Sequence, residues 1–138
     1  MMGLDPTLAV LYVSLSYLGT PYRYGGDDTT GFDCSGFVGA VLRKFGYKPP
    51  RTAGAMYRWA KPVPADSMKP GDLLFFDYFK RPVGHVGIYL GDGLMIHASS
   101  KRGVVIDPLR WHRRHLVGVG RVPLPLRIAR TFDGVAEF

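Results

Sequence analysis

The sequence predicts an α+β domain in which helices come first and antiparallel strands follow. Apolar residues recur with helical spacing in the first half of the chain, and short segments of the second half alternate between apolar and other residues. A run of helices followed by a run of strands is typical of α+β architecture. The chain has 138 residues, of which 46% are hydrophobic. This is enough for one domain, residues 1–138, with one core.

The first helix is predicted over residues 6–18. Asp5 and Pro6 are typical of a helix start, and Gly19 is typical of a helix end. The following segment, 19–33, contains four glycines and one proline. We expect it to be a loop.

A second helix is predicted over residues 34–45 and would place Cys34 at its N-terminus. Gly46 would end it. Its core face is marked by apolar residues at helical spacing, namely Phe37, Val38, Val41, Leu42 and Phe45. A third, short helix is predicted within residues 52–60.

Five strands are predicted in the second half of the chain. They span residues 73–77, 85–91, 94–99, 103–107 and 116–122. The glycines of "GDG" at 91–93 predict a tight turn between the second and third of these strands. Residues 123–138 carry no clear pattern and are interpreted as a C-terminal extension.

The charge of the chain favours anionic partners, since the net charge is +7 and the pI is about 9.8. Such partners include nucleic acid, membrane headgroups and acidic cell-wall polymers. Nucleic acid is disfavoured because no zinc finger, RNA-binding aromatic motif or heptad-linked basic region accompanies the charge. The densest basic run, "RWHRRH" at 110–115, is interpreted as a solvated face, with a polyanion-binding patch as the alternative.

No transmembrane or signal segment is predicted. The longest apolar run, residues 8–18, is too short to span a bilayer and contains Ser14 and Ser16. Asp5 precedes this run where a signal peptide carries positive charge. We expect an ordinary helix here and a monomeric protein.

Cys34 is the only cysteine, so it cannot form an internal disulfide. A lone cysteine is commonly an inert, buried apolar residue. At a helix N-terminus, however, unpaired N–H groups and a partial positive charge favour the thiolate and can bind an oxyanion. The position of Cys34 therefore predicts a nucleophile.

Four histidines could serve as its base. His85 opens one predicted strand and His97 lies on the next, so the two rings share a face if the hairpin has odd register or a bulge. A plain two-residue turn would put them on opposite faces. His112 and His115 are interpreted as part of the exposed basic face. No metal site is predicted, because no third ligand has convincing spacing near either histidine pair.

A cysteine, a histidine and a second polar group that orients the histidine form the arrangement of a thiol hydrolase. Other classes find little support. Glu137 is the only glutamate and Asp27 and Asp28 are adjacent, so a carboxylate-pair glycosidase is not expected. No phosphate-binding or dinucleotide motif is present, and no organic cofactor is expected.

Five ordered blocks, "GTPYRYGG", "GFDCSGFV", "KPGDLLFF", "GHVGIYLGDG" and "MIHAS", resemble the NlpC/P60 cysteine peptidases. The resemblance covers about residues 6–122. It implies a papain-like fold with Cys34 as nucleophile, His85 as base and His97 as the residue that orients the base. Without the resemblance, these residue types and their positions predict the same thiol chemistry.

The resemblance also implies further site residues. Tyr22 would help bind the oxyanion, with Tyr24 as the competing choice. In members that cut free stem peptides, residues at the positions of Asp33 and Ser35 contact the terminal amine of the substrate, although either residue could instead cap the helix.

The implied substrate is the peptidoglycan stem peptide, cut between the γ-carboxyl of D-glutamate and the diamino acid, and the implied place of action is outside the cytoplasm. Anionic wall polymers are further candidate partners. The alternatives are an N-acetylmuramoyl-L-alanine amidase or a thiol acyltransferase on the same fold, and a non-catalytic wall-binding module.

Overall fold

A computed structural model describes residues 5–122 of the protein. This range contains three helices, α1 (Pro6–Ser16), α2 (Cys34–Arg43) and α3 (Ala53–Trp59), and a six-stranded antiparallel sheet. The predicted α+β class is confirmed. The predicted C-terminal extension, 123–138, lies outside the described residues. None of the described helices is long and apolar enough to cross a membrane.

The helix starts follow from their capping residues. Asp5 accepts a hydrogen bond from the backbone N–H of Thr7 at 2.8 Å and caps α1. The helix ends two residues earlier than predicted. Beyond the helix end, Gly19 turns the chain at a φ of 86° and donates its N–H to the carbonyl oxygen of Val104. This hydrogen bond ties the turn to the sheet.

The segment predicted as a loop contains a short hairpin, and that prediction is wrong in this part. Strands β1 (Asp27–Asp28) and β2 (Gly31–Phe32) pair antiparallel. The turn between them is closed by Thr30, which donates its backbone N–H to the Asp28 carboxylate at 2.9 Å. The side chain of Phe32 is fully buried and anchors the hairpin to the core.

The large sheet contains the five predicted strands and one more. The strands are β3 (Lys61–Val63), β4 (Leu73–Phe76), β5 (His85–Gly91), β6 (Leu94–Ser99), β7 (Gly103–Pro108) and β8 (Leu116–Arg121), in the order β3-β8-β4-β5-β6-β7. Sequence reasoning missed β3, whose Pro62 is typical of the edge position that this strand occupies.

Each face of the sheet packs against its own apolar cluster. The helix-side cluster joins α2 to β5 and β6 and includes Phe37, Val38, Val41, Ile88 and Ile96. The cluster on the opposite face contains Leu74, Phe76, Met95, Leu109 and Val119. Because side chains alternate along a strand, His85 lies on the face of its pairing partner Phe76, and His97 lies on the face of Met95.

Candidate active site

Cys34 is the first residue of α2, as predicted. Asp33 caps this helix by accepting a hydrogen bond from the N–H of Gly36 at 2.7 Å. Gly36 has no side chain, and a Cβ there would lie only 2.0 Å from the carbonyl oxygen of Gly26. The glycine thus lets the preceding loop pack directly on the helix start, which fixes the position of the cysteine.

The thiol of Cys34 lies beside the beginning of β5. Its Sγ is 3.9 Å from the carbonyl oxygen of Gly84, the residue before His85. Burial raises the pKa of Cys34 above its ordinary value, while a hydrogen bond with the backbone of Val86 acts in the opposite direction. The expected thiolate-favouring shift is therefore wrong for this structure, because loss of solvation outweighs the effect of the helix N-terminus.

The structure brings His85 and His97 together on one face of the sheet. Strands β5 and β6 pair Ile88 with Ile96, and a bulge between Tyr89 and Gly91 sets this register. The hairpin therefore has the bulge that His85 and His97 need in order to share a face. His85 Nε2 and His97 Nδ1 are 2.8 Å apart, and the two residues are only 5% and 3% exposed.

Both rings are uncharged at neutral pH. Burial lowers the pKa of His85 to about 3. Burial also lowers the pKa of His97, with Asp107 opposing the shift. Together with the raised pKa of Cys34, these shifts give a site that starts from a neutral thiol and a neutral imidazole.

Asp107 on β7 extends the site, and sequence reasoning missed it. Its Oδ2 lies 2.8 Å from His97 Nε2, and the residue is only 1% exposed. Arg102 donates to both carboxylate oxygens at 2.9 and 2.7 Å and holds the pKa of Asp107 well below its ordinary range. The sequence did contain a signal. A tight turn between the two predicted strands pairs His97 with Val105, which places Asp107 on the same face.

His112 also belongs to this group, so its interpretation as an exposed basic residue is wrong. Its Nε2 lies 2.9 Å from Asp107 Oδ2, and its Nδ1 lies 2.7 Å from the Tyr78 hydroxyl. His115, by contrast, is partly exposed and pairs with Asp77 at 2.9 Å. The difference arises because the chain at 109–115 forms two short 3₁₀ turns that direct His112 inward.

The ligand atoms of His97, Asp107 and His112 lie within 4.8 Å of one another, close enough to share a metal ion. The spacing in the sequence did not reveal that these three residues come together. The Arg102 guanidinium bonds both oxygens of the same carboxylate. Its positive charge disfavours a cation at this position.

The two candidate tyrosines differ in their surroundings. Tyr22 lies close to the thiol and is partly buried, whereas Tyr24 is exposed. Burial raises the pKa of Tyr22, and electrostatic interactions with Cys34 and Asp33 add to the rise. Tyr24 is 88% exposed. Of the two tyrosines, Tyr22 thus interacts electrostatically with the thiol, and its role as an oxyanion donor stays a prediction.

Asp33 and Ser35 flank the cysteine but already have partners. Arg51 donates to both carboxylate oxygens of Asp33 at 3.0 and 2.9 Å, and to Ser35 Oγ at 2.9 Å. The Asp33 carboxylate also caps α2. A role for either residue in substrate binding stays a prediction.

Known proteins that resemble this chain belong to the family that the sequence motifs indicated. The NlpC/P60 family model matches residues 19–121. A curated relative, the γ-D-glutamyl-L-lysine dipeptidyl-peptidase of Bacillus subtilis, is 45% identical over 102 residues, which are 72% of this chain and 34% of that protein. The chain spans between 20% and 34% of the length of curated relatives that it matches.

Two solved structures share the fold. An NlpC/P60 family protein from Bacillus cereus aligns with a TM-score of 0.81 and 34% identity, covering 89% of this chain and 42% of that one. RipD of Mycobacterium tuberculosis, described as a non-catalytic NlpC/P60 domain protein adapted to peptidoglycan binding, aligns with a TM-score of 0.77 and 26% identity, covering 88% and 100%. On the match to the family model over most of its length, this chain belongs to the NlpC/P60 family.

Proposed function

We propose that this domain is a thiol endopeptidase that hydrolyses the amide bond between the γ-carboxyl of D-glutamate and the diamino acid of peptidoglycan stem peptides. The observation that carries the proposal is the buried hydrogen bond between His85 and His97, together with a cysteine at a helix N-terminus whose Sγ lies 3.9 Å from the carbonyl oxygen of the residue before His85. The name of the Bacillus subtilis relative supports the choice of bond.

In the first step, Cys34 Sγ attacks the γ-carbonyl carbon of D-glutamate, and His85 Nδ1 takes the thiol proton. Nδ1 is the ring nitrogen that His97 does not use. The negative charge that develops on the carbonyl oxygen is bound by the N–H groups at the start of α2 and by the hydroxyl of Tyr22.

The tetrahedral intermediate then collapses as the C–N bond breaks and the His85 imidazolium donates its proton to the leaving amine. This leaves a thioester between Cys34 and D-glutamate. A water molecule attacks the thioester while His85 takes its proton. The C–S bond breaks, and the proton returns to the sulfur.

The neutral starting state suits this sequence of steps. The lone pair on Nδ1 of a neutral imidazole can accept the thiol proton, and His97 keeps the ring in place throughout. Transfer of the proton during attack avoids a preformed ion pair in a poorly solvated site.

Two alternatives use the same residues differently. An amidase would cut the stem from muramic acid, and an acyltransferase would pass the acyl group to an acceptor other than water. RipD illustrates a third outcome, a family domain that binds peptidoglycan without cutting it. The presence of Cys34 at the start of α2 and of the hydrogen-bonded pair His85 and His97 favours catalysis over binding alone.

The test digests purified sacculi and free tri- and tetrapeptides with wild type and Cys34→Ala under reducing conditions, with products identified by mass spectrometry. We expect new amino termini on the diamino acid, formed by wild type only. Release of intact stems would indicate the amidase. Transfer products seen only with an added amine or lipid acceptor would indicate the acyltransferase, and binding of Cys34→Ala and wild type without any product would indicate the binding module.

The net charge of +7 fits anionic stem peptides and wall polymers as partners, and the substrate places the activity outside the cytoplasm. We propose that the domain acts as a monomer, which light scattering of the purified chain checks. Because exposed charges are screened over roughly 8 Å at physiological ionic strength, sacculus binding should weaken as salt is raised.

A further inference from the structure

We propose that Asp107, held by Arg102, is a positioning residue that fixes the tautomers of His97 and His85 and so keeps Nδ1 of His85 open to the proton of Cys34. This inference rests on the proposed thiol reaction. It concerns a carboxylate that bonds His97 and His112, and the arginine that pairs with that carboxylate.

The first step concerns His97. An ionised carboxylate can only accept hydrogen bonds, so the 2.8 Å contact between His97 Nε2 and Asp107 Oδ2 requires a proton on Nε2. A neutral imidazole carries one N–H. The other nitrogen of His97, Nδ1, must therefore be an acceptor.

The second step carries this constraint to His85. Its Nε2 lies 2.8 Å from His97 Nδ1 and must donate, because His97 Nδ1 has no proton. The single N–H of neutral His85 is thus on Nε2. The lone pair is left on Nδ1, which is where the base must receive the thiol proton.

The third step explains why Asp107 stays ionised. Arg102 forms a bidentate pair with it, and His112 Nε2 is a further donor at 2.9 Å. The contact with the carboxylate requires a proton on His112 Nε2, and His112 Nδ1 lies 2.7 Å from the Tyr78 hydroxyl. Every group that bonds the Asp107 carboxylate is a donor. The carboxylate therefore remains the acceptor for the N–H of His97.

The pairing with Arg102 also decides what Asp107 contributes. A lone buried carboxylate would stabilise an imidazolium on His85 through its charge. Here the guanidinium offsets that charge. The remaining effect of Asp107 is its hydrogen bond with His97, which selects one tautomer of each ring.

The first experiment reads the tautomers directly by ¹⁵N NMR of the histidine rings in Cys34→Ala, a background that removes any transfer of the thiol proton. EDTA excludes bound metal. We expect the proton of His85 on Nε2 and that of His97 on Nε2 near pH 7. A proton on Nδ1 of either ring would overturn the inference, and this readout needs neither substrate nor a variant of Asp107.

The second experiment compares Asp107→Asn with Asp72→Asn. Asp72 is the matched control because it is also buried, at 2% exposure, and forms a bidentate pair with Arg121 at 2.8 and 2.9 Å, away from the thiol. An amide at 107 can present its NH₂ to His97 and reverse the tautomer. We expect kcat to fall by about 10- to 100-fold with KM little changed, by analogy with partners of catalytic and metal-bound histidines. Asp107→Glu should restore part of kcat.

For Asp72→Asn we expect unchanged kcat and unchanged ring tautomers even where stability falls. Equal kcat in wild type and Asp107→Asn, with unchanged tautomers, would overturn the inference. A wild type that cleaves no stem peptide would instead overturn the proposed function, while the tautomers measured by NMR would still decide the role of Asp107.

Discussion

At the scale of single residues, the chemistry depends on the protonation of Cys34 and His85. A neutral thiol beside a neutral imidazole differs from the preformed ion pair that a helix N-terminus alone would favour. In this site burial dominates, since it raises the pKa of the thiol and lowers that of the imidazole. In the proposed reaction the thiolate of Cys34 then forms during attack rather than before it.

Alkylation of Cys34 tests this state. Because its pKa is raised, we expect the alkylation rate to increase with pH around a midpoint above about 8.5, the value of a free cysteine. Near pH 7 the reaction should be slower than that of a free thiol. Rates measured from pH 5 to 10 in wild type and His85→Ala check this. A wild-type midpoint near pH 6 that rises in His85→Ala would instead show a thiolate–imidazolium pair in the free enzyme.

His97 has two hydrogen-bonding roles, acceptor from His85 and donor to Asp107. His97→Ala removes both, so we expect kcat to fall by about 100-fold, within the range of general-base effects. An amide side chain can accept through its oxygen and donate through its NH₂. His97→Gln and His97→Asn should therefore be milder. Full activity of His97→Ala on a cleavable stem peptide would show that another residue orients His85.

At the scale of elements, the start of α2 depends on close backbone contact. Ala at position 36 would place its Cβ 2.0 Å from Gly26 O and 2.9 Å from the capping carboxylate of Asp33. We expect Gly36→Ala to destabilise the domain and to lower kcat, because the helix start and Cys34 must shift.

Gly54 on α3 is the matched control for this substitution. A Cβ there meets no atom closer than 3.9 Å. Gly54→Ala should stabilise the domain by up to about 1 kcal/mol through helix propensity, with activity unchanged. Thermal unfolding and kcat of both variants check the pair, and equal effects at the two positions would contradict the steric explanation.

The elements also explain what the sequence could and could not predict. Cys34, His85 and His97 were recognisable because a helix start and a hairpin register constrain them locally. The short hairpin at Asp27–Phe32 was not, since glycine-rich sequence obscures strands of two residues. Asp107 looked like an ordinary strand residue, and its role depends on pairing across β6 and β7 rather than on any local pattern.

At the scale of the whole molecule, the site makes stability depend on pH. An unfolded histidine has a pKa of about 6.5. Burial lowers the pKa of folded His85 to about 3 and also lowers that of His97. Between these values the unfolded chain binds protons that the folded domain does not, so acidification favours unfolding.

We therefore expect the free energy of unfolding to be highest above pH 6.5 and to fall as the pH drops toward 3. Each buried histidine contributes at most about 1.4 kcal/mol per pH unit. Asp107, with its lowered pKa, adds a loss below about pH 5, where an unfolded aspartate begins to take up a proton. Between about pH 5 and 6.5 the loss of stability thus comes mainly from the histidines.

Urea unfolding of wild type and His85→Asn at half-unit steps from pH 4 to 8 isolates the contribution of His85. The variant lacks one of the two buried rings, so its slope between pH 4.5 and 6.5 should be smaller than that of wild type. An imidazolium already present in the folded protein would give the opposite result, because its raised pKa would make wild type relatively more stable in acid than the variant. The stability of the whole domain therefore reports the charge state of His85 independently of any substrate.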